Sequence, residues 1–312
     1  MNKSRYPVPV IRESLVRAFT SAALSPDPDL AVAALMMARI EYPDLDASSY
    51  LDRLDTLGRE ARRRVAEASI NTVNAPPRVD PVAYARVMAL NDYLFGELRF
   101  VGNDVRYEDP RNSFLNEVMD RRTGIPITLA LIYMEVARRA GVPIEGVNFP
   151  GHFLVRCPAG RGQFAEDLII DAHHGGALLS EEACRAMYRR HHQDDDADDA
   201  VADARLFARA GKPQIMIRML LNLKHVYVRM CSFPQARDVM ELLLALDPSA
   251  INELRDRGLL CYQLKDFAGA LRDLQRYLHL AAGSTQDKEA RDDQAQIWEH
   301  VKTLRKRVAA LN

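Results

Sequence analysis

Two residues in the middle of the chain could work together on a proton: His152 in the run FPGHFLVRC and Asp171 at the end of FAEDLIIDA. An imidazole can take a nucleophile's proton while a carboxylate orients the ring. A cysteine at a helix N-terminus suits such a pair, because the helix dipole lowers its pKa. Hydroxyls stand upstream at Ser113, Thr123 and Thr128, with Asn112 beside the first. Arg121 and Arg122 precede a helix start, where a guanidinium and free backbone N–H groups would suit a carboxylate or phosphate. Each candidate also has a plainer reading. Thr123 would be the N-cap of that helix, Ser113 the cap of RNSFLNEVMDRR, Arg122 a surface ion pair, and His152 with Asp171 a structural pair. Cys157 follows His152 at an odd offset, so strand alternation turns it to the opposite face and makes it a poor nucleophile.

These residues need a helix and strands to hold them. In RRTGIPITLALIYMEVARRAGVP, Pro126 fits a first helical turn, Leu129, Ile132, Tyr133 and Val136 fall on one stripe, and Gly141 stands where a left-handed residue closes a helix. The runs IEGVNF, HFLVRC and FAEDLIIDA then read as three strands separated by Pro and Gly. Upstream, the chain reads as helical from Asp27 to about Ala68, broken at Tyr42-Pro43, with Met36 and Met37 at core spacing. PVAYARVMALNDYLF resumes the helical pattern before a turn signal at Gly102-Asn103 opens a loop to about Arg111.

Between His191 and Ala204 the composition collapses to HHQDDDADDAVADA, a solvated linker and not a metal site. Beyond it the chain repeats. LKHVYVRMCSFPQARDVMELLLALDP aligns with RGLLCYQLKDFAGALRDLQRYLHLAA at an offset of 34 residues, pairing Phe233 with Phe267 and Ala236 with Ala270. This unit resembles the tetratricopeptide repeat, departing from it where Lys224 takes the place that Gly258 holds in the second copy. Residues 207–222 would supply a preceding helix. From Ser284 a terminal helix would carry Ile297, Val301, Leu304 and Val308 as its buried stripe.

A helix followed by strands bearing a His and then an Asp is similar to the papain-like and transglutaminase-like core. Counting back from Gly141, that resemblance puts the nucleophile's place at Pro126, with Gly124 and Ala130 in register. The stretch from LNDYLFGELRF to FPGHFLVR resembles the SirB-type family, bacterial proteins with a transglutaminase-like domain followed by tetratricopeptide repeats. Asn112-Ser113, RRTGIPI and FPGHFLVR carry the likeness, from about Asp27 to Leu179, and the repeats extend it to the end. A related segment occurs in a eukaryotic F-box protein. The resemblance implies a degenerate transglutaminase fold, since proline in the RTGIPI motif is typical of the family. It implies no particular reaction. Where this chain reads IIDAHHGG, family members often have an Asp-Pro-Phe type of segment, so the surroundings of Asp171 depart from the pattern.

The expected architecture is an α+β transglutaminase-like domain with a helical leader over 1–190, an acidic linker over 191–204 and an all-α repeat domain over 205–312. With 42 Lys plus Arg against 43 Asp plus Glu, the net charge of −1 offers no field for nucleic acid. The four cysteines form no CxxC pair and no long apolar run occurs, so neither metal nor cofactor nor membrane is expected, and the chain reads as cytoplasmic. Two functions remain open. One is a non-catalytic scaffold that binds a protein or peptide through the repeats. The other is an amide or ester hydrolase or acyltransferase using Ser113 or Thr128 with His152 and Asp171, which needs a hydroxyl within about 3 Å of a histidine nitrogen, or bridged to it by one water, in a pocket that could hold an acyl group.

Overall fold

The computed structural model describes residues 13–27, 29–68, 74–160, 166–191, 206–281 and 288–309. They group into two compact units, one spanning Ser25–Met219 and the other formed by helix α1 (Glu13–Leu24) with the chain from Leu220 onward.

The first unit begins with α2 (Ala31–Ala38) and α3 (Ala47–Glu67), split where the Tyr42-Pro43 break is expected. Asp46 caps α3 by accepting the Ser48 N–H at 3.1 Å, and Asp80 caps α4 (Pro81–Asn91) in the same way through Val82. A single π turn, Asp92–Glu97, extends α4. The two-residue strands β1 (Val101–Gly102) and β2 (Thr123–Gly124) pair in parallel around α5 (Leu115–Arg121), so Gly102 is a strand residue and not the turn expected there.

Helix α6 (Pro126–Ala140) is the centre of this unit. Its ends are as the residues dictate: Pro126 in the first turn and Gly141 in the left-handed conformation (φ 79°) at the C-cap. Its burial exceeds a stripe, since of its residues only Arg138 and Arg139 escape the core. A helix apolar nearly all round needs neighbours on every side. Gly58 provides one of them, letting α3 approach so closely that a Cβ there would collide with the Arg139 side chain. The one buried acid of α6, Glu135, is satisfied by Arg138, Arg139 and the Leu30 N–H.

A five-stranded antiparallel sheet packs on α6. It comprises β3 (Glu145–Val147), β4 (Leu154–Cys157), β5 (Leu168–Asp171), β6 (Ala177–Leu179) and β7 (Arg209–Ala210), in the order β6-β5-β4-β3-β7. Val147, Leu154 and Ile169 share a face and a cluster with Cys184 of α7 (Glu181–His191). β3 to β5 are the three expected strands, while β6 and β7 are additional.

The second unit contains the later part of α8 (Lys212–Arg229) together with α9 (Phe233–Leu246), α10 (Ile251–Gln263), α11 (Phe267–Ala281) and α12 (Lys288–Ala309). The 34-residue offset survives in the starts of α9 and α11, and Ala236 and Ala270 are fully buried. At the departing position, Lys224 reaches across to Glu253 (2.5 Å) and Asp256 (2.7 Å) of α10. Gly258 lets α11 come close, as a Cβ would lie 2.8 Å from Leu274. Arg257 grips the buried Asp273 through two nitrogens at 2.7 and 3.0 Å, joining α10 to α11. Ile297, Val301 and Leu304 of α12 close the cluster, as expected of a terminal helix. The expected stripe residue Val308 and the linker composition over 192–205 lie outside the residues whose side chains are described.

The units differ from the expected division in two respects. Helix α1 groups with the repeats and not with the transglutaminase-like domain, because its buried residues Phe19 and Ala23 lie on a helix that packs against α9. β7 and the start of α8 group with the N-terminal unit, because β7 hydrogen-bonds to the edge of its sheet at β3.

Candidate functional site

Asp171 ends β5 and organises the turn that leads into β6. Its Oδ1 accepts the backbone N–H groups of His173 (3.0 Å) and His174 (3.3 Å). Its Oδ2 lies 2.9 Å from His152 Nε2 and 2.8 Å from His174 Nδ1. The chain reverses through Gly175 and Gly176 at φ 66° and 77°. Asn91 locks this turn, donating to Gly176 O at 2.8 Å and accepting from the Tyr133 hydroxyl at 2.9 Å. Only glycine fits at 176, since a Cβ there would lie 2.5 Å from the Asn91 side chain.

His152 sits in the Pro150-Gly151 turn before β4. Arg218 fixes that turn from α8, donating to Asn148 Oδ1 (2.6 Å), Phe149 O (3.1 Å) and His152 O (3.0 Å). Burial makes ionisation of Asp171 harder, but the bonds from His152 and His174 outweigh it and hold the carboxyl at about 2. An ionised carboxylate only accepts, so the protons sit on His152 Nε2 and His174 Nδ1. When the rings are neutral, their lone pairs lie on His152 Nδ1 and His174 Nε2. The His174 ring is 59% exposed and the His152 ring 14%.

A third imidazole stands beside them. The His173 ring, 3% exposed, is centred 5.1 Å from that of His174 and 6.0 Å from that of His152. Its Nε2 bonds Asp104 at 2.9 Å, and its Nδ1 is buried without a partner. The ring lies against Gly102, where a Cβ would come within 2.5 Å of it. The bond from His173 is the main cause holding the Asp104 carboxyl below its ordinary range.

The chain is similar to known proteins. A family model for the transglutaminase-like superfamily matches residues 48–221. The chain belongs to that superfamily. A tetratricopeptide-repeat model matches residues 223–304. A UPF0162 protein of Xylella fastidiosa, strain Temecula1, is 41% identical over 247 residues, 79% of this chain and 82% of that protein. F-box only protein 21 of Mus musculus is 32% identical over 204 residues, 62% of this chain and 31% of that much longer protein. A solved structure of menin aligns with a TM-score of 0.38 at 11% identity, covering 93% of this chain and 74% of that one.

Within the transglutaminase-like unit, His152 and Asp171 meet as the resemblance implies, and Pro126 opens α6. The other candidates are placed differently. Thr123 is not a cap: it lies in β2, its hydroxyl donates to Arg121 O at 3.2 Å, and Ile125 is the N-cap residue. Phe114 is the N-cap residue of α5 with no side-chain cap bond, so Ser113 does not cap that helix; it is buried in the short 3-10 turn Pro110–Ser113. Thr128 Oγ1 is buried and bonds nothing. Asn112 is spent on its own loop, accepting from Asn103 at 3.1 Å and donating to Arg106 O at 2.7 Å. It thereby braces the segment that bears Asp104. Arg122 is exposed and donates to Leu98 O at 3.0 Å, tying down a loop where an anion site was a candidate. Cys157 is buried in β4, and burial pushes its thiol up to about 11.

His173, His174, Asp104, Asn91 and Arg218 are the site residues that sequence reading did not find. The available signal was the pair of histidines two and three residues after Asp171, in the segment that departs from the family pattern.

Proposed function

We propose that this transglutaminase-like unit is a non-catalytic binding module in a cytoplasmic protein that docks a protein or peptide on its C-terminal repeats. Pro126 carries the reading. The resemblance assigns it the nucleophile's place, and its ring offers neither a nucleophilic atom nor an N–H at the start of α6. The nearby hydroxyls do not compensate. Among the described residues neither Ser113 nor Thr128 hydrogen-bonds a histidine, and the buried thiol of Cys157 is held protonated. Tetratricopeptide repeats in general mediate contacts between proteins, which supports placing the partner there. Among the described residues no helix is long and apolar enough to cross a membrane.

The test exposes the full chain and its His152→Ala variant to fluorophosphonates, activated esters and small amides, read by intact mass and turnover. The expected result is no adduct and no turnover above buffer in either protein. An adduct on Ser113 or Thr128 that disappears in the variant would overturn the reading in favour of acyl transfer. Peptide display against the full chain reads the docking half. Crosslinks of enriched peptides that map to 223–304 support it, and crosslinks confined to other residues refute it.

A further inference from the structure

We infer that His152, Asp171 and His174 form a binding site for a divalent transition-metal cation, with zinc the ion that suits their donors. One ligand atom from each, two imidazole nitrogens and a carboxylate oxygen, lie within 4.8 Å of one another. Asp171 Oδ2 is already 2.9 and 2.8 Å from the two ring nitrogens. Zinc bonds of about 2.0–2.1 Å in a tetrahedral site keep donors roughly 3.3 Å apart, so the two carboxylate–imidazole pairs need to open by only about half an ångström, while the two imidazole nitrogens already lie within 4.8 Å of each other. The ion would replace the two protons now shared with Oδ2, and each ring would carry its proton on the other nitrogen.

The donor types select the ion. Two imidazoles and one carboxylate suit zinc and its first-row neighbours, whereas calcium and magnesium take oxygen donors and copper(I) prefers sulfur. The surroundings also fit a metal site. Asp171 Oδ1 is committed to two backbone N–H groups, which leaves Oδ2 oriented as a single donor. Arg218 holds the His152 turn, and Asn91 holds the turn that bears His174. The exposed His174 ring gives an ion a way in, and three protein ligands leave a fourth position open. The inference concerns binding alone and does not depend on whether the unit catalyses a reaction.

The experiment uses the full chain without an affinity tag, stripped with chelator and titrated with zinc against a chromophoric chelator, then with cobalt(II) read by visible absorption. One zinc per chain is expected, with a cobalt spectrum of low-coordinate nitrogen and oxygen ligation. His174→Ala, a change at an exposed ring, should weaken zinc binding by about tenfold or more with unchanged circular dichroism, and His152→Ala should do the same. The competing place for an ion is the tract HHQDDD, and the double variant His191→Ala with His192→Ala should leave the affinity unchanged. Failure to take zinc from the chelator overturns the inference. So does wild-type affinity in folded His174→Ala, or loss of binding in the double variant.

Discussion

Asparagine in place of Asp171 removes one charge and two acceptor sites while keeping the shape, and the consequences can be worked from four contacts. The carboxylate accepts two backbone N–H groups on Oδ1 and two ring nitrogens on Oδ2. The backbone donors cannot change, so the asparagine oxygen must face them and its amide nitrogen must face the rings. Both rings must then accept, and the proton moves to Nδ1 in His152 and to Nε2 in His174. The energetic size derives from the carboxyl's pKa, held at about 2 against an ordinary 3.8. At 1.36 kcal/mol per unit, this amounts to about 2 kcal/mol of stability at neutral pH. Because the folded-state pKa is depressed, that stability is fully present above the ordinary carboxylate pKa and is lost as pH falls through about 2. Urea unfolding by circular dichroism should therefore show wild type more stable than Asp171→Asn at neutral pH, by about 2 kcal/mol, with the gap closing between about pH 4 and pH 2. Nitrogen-15 shifts of the imidazoles should report the exchanged tautomers. A gap that stays constant through the acid range, or rings that keep their wild-type tautomers, would refute the four-donor picture.

Gly176→Val places a branched Cβ at φ 77° and against Asn91, so it should lower the melting temperature by an amount equivalent to about 2 kcal/mol or more, whereas Gly175→Ala, with open space around it, should cost less. Ala270→Phe overpacks a fully buried position in the second repeat and should cost about 1–3 kcal/mol, read by thermal unfolding; an unchanged melting temperature would count against the close helix contact there. Alkylation of the native protein at mildly alkaline pH should modify the exposed Cys231 first. Cys157, Cys184 and Cys261, buried and with thiols pushed up to about 11, should react only after unfolding, and mass mapping of early labelling on any of the three would contradict their burial.

Much of the framework was legible because its causes are local. Pro126 and Gly141 mark the ends of α6 by their own backbone constraints, and the repeat shows itself as small residues recurring where helices must touch. The short strands β1, β2, β6 and β7 left no such mark. Two or three residues carry no periodicity, and they are strands because a neighbouring edge accepts their hydrogen bonds. The capping roles of Ser113 and Thr123 failed for a related reason. Helix α6 starts later than its best capping residue would place it, because the chain first pairs Thr123-Gly124 with Val101-Gly102.

The sequence by itself determined the two halves, the central helix, the repeat offset and the pairing of His152 with Asp171. Each of these rests on dihedral limits, helical period or a family motif contained in a short stretch. Only the tertiary structure decided that Asp104, 69 residues before His173, would close on that ring, and that one carboxylate oxygen would serve both His152 and His174. Those contacts depend on sheet register, on a left-handed turn locked by Asn91 and on a loop braced by Asn112. None of these is a property of neighbouring residues, and so the histidine cluster exists only once the chain has folded.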